Sequence, residues 1–222
     1  RGVDRVLALR FPAAPSGDQA HEDRVPNPAR QQDSIALMKQ LMRTFHGRFD
    51  YFQVLNEPLA EGRYNTFLQG SPVGQVETWM LSLYAHARIT LDSLNNLHTR
   101  PRANLLSPAI VIDRADMINN LRAQGNSIYT ILTRRILSII NTYCDGAAFH
   151  VYPESPAALR QVLDFFKTDP TFGIAPGKFW VATEFSQAFE IQNKLSIQPA
   201  LQDSVLFYCA RATDPTFRPG YL

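Results

Sequence analysis

The feature that most constrains this fold is an alternation repeated five times along the chain. A short run of apolar, β-prone residues is followed each time by a longer stretch of helical periodicity. The apolar runs lie at 3–11 (VDRVLALRF), 49–55 (FDYFQVL), 103–112 (ANLLSPAIVI), 147–152 (AAFHVY) and 178–184 (KFWVATE). Ile35, Met38, Leu41, Met42 and Phe45 give helical spacing over 33–46, with Asp33 or Ser34 to cap it and Gly47 to end it. Val76, Met80, Leu83, Ala87, Leu91 and Leu94 form the stripe of a long helix over 72–98, which Pro72 opens. Ile128, Leu132, Ile136, Ile139 and Tyr143 mark a helix over 127–143. Another opens at Ser155-Pro156 with Leu159, Val162, Leu163 and Phe166 inward, and a last one runs over 199–212.

Strands this short and this apolar are buried on both faces. Strict β-α alternation then requires a parallel sheet, either open and doubly wound or closed as a barrel. A doubly wound nucleotide fold carries a glycine-rich first turn. Neither GxGxxG nor GxxxxGK followed by Ser or Thr occurs here, which argues against nucleotide binding. The expectation is therefore an α/β fold of the TIM (β/α)8 type, incomplete with about five β/α units, and one domain over 1–222.

Composition narrows the partners. At 222 residues the chain can bury a sizeable core. Its net charge of +2 gives no electrostatic case for a nucleic-acid or anionic-membrane partner. No run approaches the ~18 apolar residues of a membrane span. Cys144 and Cys209 lack the spacing of a zinc site and read as two free thiols or one disulfide.

In a barrel the chemistry sits where the strands end. The 49–55 run stops at Asn56-Glu57-Pro58, and the 178–184 run ends on Glu184. Two carboxylates at matching strand ends are what hydrolysis of a glycosidic bond uses. His150 and Tyr152 stand two apart, on one side of their strand. A buried strand holds such groups only if they have partners or a task. Asn56 suits either a turn or a hydrogen bond to a substrate hydroxyl. Tyr64, Phe67 and Phe189 suit either packing or sugar stacking. Loops 13–32, 58–71 and 185–198 carry the choice of substrate.

These residues resemble the clan of retaining β-glycosidases built on the (β/α)8 barrel, which includes the cellulase-like family. Asn56-Glu57-Pro58 is similar to the clan's fourth-strand motif. Thr183-Glu184 is similar to the seventh-strand nucleophile, and His150-Val151-Tyr152 to the sixth-strand pair. The resemblance implies that Glu57 is the acid/base, that Glu184 is the nucleophile and that Asn56 holds the sugar 2-hydroxyl. It further implies that Tyr152 supports the nucleophile and that His150 lines the sugar site. The expected activity is retaining hydrolysis of O-glycosidic bonds in a β-linked polysaccharide or oligosaccharide, with a carbohydrate as partner and neither metal nor organic cofactor. The resemblance is compatible with secretion, while the residues themselves leave the compartment open. The match covers strands three to seven of the family, so a fragment of a longer enzyme is expected. Its early-strand arginine has no clear counterpart, since Arg10 ends the third strand in this count. The alternatives are a non-catalytic carbohydrate-binding barrel and a metal-dependent hydrolase using Glu57, His150 and Glu184.

Overall fold

The computed structural model describes residues 5–8, 31–56, 58, 73–97, 101–112, 116–123, 128–151 and 156–185. Its elements in chain order are β1 (Val6–Ala8), α1 (Gln31–Phe45), β2 (Tyr51–Gln53), α2 (Val73–Leu97), β3 (Asn104–Leu106) and β4 (Ile110–Ile112). They continue with α3 (Asp116–Ala123), α4 (Ile128–Tyr143), β5 (Gly146–Val151), α5 (Pro156–Thr168) and β6 (Phe179–Phe185). The expected final helix over 199–212 lies outside the described residues.

Every strand pairing is parallel. β3 and β4 are the two halves of one interrupted row: Leu106 pairs with Gly146, and Ile110–Ile112 pairs with Phe149–Val151, both on β5. Pro108 supplies the break, because it has no N–H for the ladder. The six segments thus make five rows, adjacent in chain order from β1 to β6. A doubly wound sheet reverses its strand order at a switch point; among the described residues this one does not.

The sheet is also curled. Tyr51 on β2 and Phe179 on β6 meet edge to face with ring centroids 5.8 Å apart. In a flat sheet, three spacings would hold their backbones ~14 Å apart. The five rows therefore form a parallel half-barrel, compatible with an incomplete α/β barrel. Gly146 makes the contact possible, since a Cβ there would lie 2.7 Å from the Phe179 carbonyl oxygen and collide with its ring.

Two apolar clusters follow from strand alternation. Phe52, Leu105, Ile110, Phe149 and Trp180 face the helices, while Tyr51, Leu106, Ala109, Ala148 and Val181 fill the concave side. α2 is the largest contributor to the outer layer. All six residues of its expected stripe are buried, joined by Trp79 and Tyr84. Full burial of each large aliphatic side chain is worth ~1.5–3 kcal/mol.

Several boundaries differ from the sequence expectation. α1 begins two residues earlier, so Asp33 and Ser34 lie within its first turn rather than before it. Ser34 Oγ instead donates to Gln31 O (2.7 Å) and accepts from Trp79 Nε1 (3.3 Å), fastening α1 to α2. Gly47 does end the helix, with φ of 79°. α3 was not anticipated. β2 stops at Gln53, and β6 runs past Glu184 to Phe185.

Polar clips hold the amino-terminal ends of the strands. Asp145 Oδ2 accepts from the Leu105 amide and from Arg88 Nη1, each at 2.8 Å, and Arg88 also pairs with Asp92. Lys178 Nζ donates to Cys144 O at 2.6 Å. Cys144 is a free, buried thiol, so it forms no disulfide; Cys209 lies outside the described residues.

Candidate active site

Because all rows run parallel, the carboxyl ends of β2, β4, β5 and β6 share one edge of the half-barrel. Asn56, His150 and Glu184 all belong to that edge.

Glu184 owes its register to an irregularity. β5 and β6 pair in step from Gly146↔Phe179 to Phe149↔Ala182, and then His150 pairs with Glu184. Thr183 is the extra residue, which makes a β-bulge. Trp180 and Ala182 pack on the helix side, and Val181 belongs to the concave cluster. In-step pairing would have set Glu184 opposite Val151, which packs in the helix-side core. The bulge moves it one place, to the register position opposite His150. Such bulges recur beside active sites because they re-aim a single residue.

His150 is fully buried, as is Ser107 in the break between β3 and β4. Ser107 Oγ donates to Pro108 O (2.7 Å) and accepts from the Ala148 amide (3.0 Å), replacing the ladder bond that the interruption removes. Asn56 is 8% exposed, and its carbonyl accepts from the Ala109 amide at 3.0 Å. The end of the Asn-Glu segment is thereby tied to the row that pairs with the His150 strand.

Glu57 and Tyr152 lie outside the described residues, as do Arg10, Tyr64, Phe67, Phe189 and the loops 13–30, 59–71 and 186–198. The structure thus brings His150 and Glu184 together and sets Asn56 on the same edge.

Sequence reasoning missed Gln53, Ser107 and Tyr84. Gln53 is fully buried on β2, its Nε2 donating to Leu55 O at 3.3 Å. The signal was present: it is the one amide side chain in YFQVL, and the argument applied to His150 applies equally to it. Tyr84, on α2, lies behind the same segment. Its hydroxyl faces the amides of Leu55 and Val54 but is aligned with neither as a full hydrogen bond. Burial, then the neighbouring Cys144, pushes the phenol well above its ordinary range against the pull of those amides, which keeps it neutral.

His46 is buried just after α1 and hydrogen-bonds through Nε2 to Asn95 Oδ1 (3.0 Å), far from this edge in the chain's order. Asn95 also brackets Ala103, which makes the group a structural tie. Among the described residues, no group of three or more His, Cys, Asp and Glu is gathered as a metal site requires. Nor is any described helix long and apolar enough to cross a membrane.

No protein-family model and no curated protein matches this chain.

Proposed function

We propose that the half-barrel belongs to a (β/α)8 barrel of the TIM type, and that the protein is a retaining O-glycoside hydrolase acting on β-linked oligo- or polysaccharides. The observation that carries this is the bulged register of β6, which pairs Glu184 with His150 at the carboxyl edge of a chain-ordered parallel sheet. Asn56 on that edge, immediately before Glu57, adds to it.

In the proposed reaction Glu184 attacks the anomeric carbon. The glycosidic C–O bond breaks as Glu57 gives its proton to the departing oxygen, leaving a glycosyl ester on Glu184. Glu57, now ionised, takes a proton from water as the water oxygen attacks the same carbon, which frees Glu184 and returns the first protonation state. Two inversions retain the configuration. Asn56 would hold the sugar 2-hydroxyl, His150 would line the sugar site, and Tyr152 would support the nucleophile.

The test is trapping. A 2,4-dinitrophenyl 2-deoxy-2-fluoro-β-glycoside should form a stable ester located by peptide mass spectrometry on Glu184. Glu184→Gln should abolish both the ester and turnover. Glu57→Gln should lower turnover of an unactivated β-glycoside by ~10²–10⁴-fold. An ester elsewhere, or a first-formed product of inverted configuration, would overturn the assignment. Loss of activity to a chelator would instead favour a metal-dependent hydrolase.

A further inference from the structure

The β2 ladder ends at Gln53, yet Val54, Leu55 and Asn56 remain buried, at 0%, 6% and 8% exposure. Backbone groups in a buried run outside the ladder need partners from elsewhere. Three groups approach them. The Ala109 amide donates to Asn56 O at 3.0 Å. Gln53 Nε2 donates to Leu55 O at 3.3 Å. The Tyr84 hydroxyl, buried on α2, lies toward the Leu55 and Val54 amides without an aligned hydrogen bond to either.

Gln53 pays for its place. Leu55 O is an acceptor, so the nitrogen of the Gln53 amide must face it. That leaves Oε1, fully buried, without a hydrogen-bond partner among the described residues. Tyr84 likewise buries a hydroxyl without an aligned bond. An apolar side chain would serve stability better at either position. Residues that violate a local rule in this way mark functional sites.

We propose that Gln53 and Tyr84 are positioning residues, a buried polar cradle that fixes the backbone leading into Asn56 and on to Glu57. Neither touches substrate. The cradle rests on the glycosidase reading above, in which Glu57 is the acid. It acts by holding the acid where the departing oxygen will be, and a displacement of ~1 Å at such a group costs on the order of 10²-fold in rate.

The experiment compares Gln53→Met and Tyr84→Phe with the native chain on two aryl β-glycosides, one with a good leaving group (2,4-dinitrophenol) and one with a poor one (phenol). A displaced acid slows cleavage of the poor leaving group and spares the good one, which departs without protonation. The expected result is a loss of at least ~10-fold in kcat/KM on the phenyl glycoside, within the range general acids supply. On the dinitrophenyl glycoside the change should stay under about 2-fold, with Tm unchanged or raised in both variants. Equal losses on both substrates, or a fall in Tm that accounts for them, would reduce the pair to structural residues and overturn the proposal while leaving the glycosidase standing. A native chain that cleaves neither glycoside overturns the glycosidase reading and the cradle's catalytic role with it. Amide exchange at residues 54–56 reads the cradle without turnover: faster exchange in both variants supports it, and unchanged exchange overturns it.

Discussion

Ser107 shows how one side chain can stand in for a missing piece of sheet. Pro108 removes a ladder donor, and the row breaks in two. The Ala148 amide, which faces that break from β5, bonds to Ser107 Oγ instead. Ser107→Ala should therefore leave a buried N–H without a partner and cost ~1–3 kcal/mol. Denaturant unfolding would measure it, and a midpoint within error of the native protein's would show that the amide finds another acceptor. The run ANLLSPAIVI announced a strand with a fault at Pro108, so the break was legible. That the serine mends it was not, because the acceptor serves a residue forty-one positions later. Tyr84 escaped notice for the same reason, since periodicity marks it as core and does not name what its hydroxyl faces, whereas Gln53 stood out in its apolar run and was passed over. His150 and Glu184 were picked out one by one from strand ends. Their register depends on a bulge that no local pattern in KFWVATEF marks.

Among the elements, helices were the most readable. The α2 stripe follows 3.6-residue periodicity over many turns, and each of its residues is buried. α3 was missed because eight residues, Ile118 and Leu121 among the buried ones, carry too little periodicity to register. Strand limits were least readable, since an apolar run looks the same inside the ladder and beyond it; Val54 and Leu55 belong to the core but not to β2. What bends the sheet is also an element-scale property. Phe179 crosses over Gly146 to reach Tyr51, and the glycine is required by close approach. Gly146→Ala should push the Phe179 ring and backbone aside and destabilise the protein by ~1–3 kcal/mol through overpacking. Thermal unfolding would measure the loss. Gly146→Ala combined with Phe179→Leu should recover part of it, because the smaller side chain vacates the space; no recovery would place the strain in the backbone alone.

For the whole molecule, the parallel, chain-ordered sheet followed from five strand–helix repeats, because a parallel pair needs a crossover and helices supply it. A curled rather than a doubly wound sheet was expected because the glycine-rich first turn is missing, but the contact that marks the curl, between rows that are not neighbours, was not legible. Cys144 reports on that assembled whole. It sits between α4 and β5, its amide bonded to Ile140 O and its carbonyl held by Lys178 from the approach to β6. Burial pushes the thiol far above its ordinary range, against the pull of Lys178. The thiolate is the reactive form, so the native thiol should resist alkylation at neutral pH. Exposing it requires α4, β5 and the β6 approach to separate, which is close to unfolding the half-barrel. The iodoacetamide labelling rate of the Cys144 peptide, followed by mass spectrometry across a denaturant series, should therefore track the global unfolding equilibrium. Labelling within minutes under native conditions, with the far-ultraviolet dichroism intact, would show that this end of the sheet opens on its own and that the clips at Asp145 and Lys178 do not bind it to the rest.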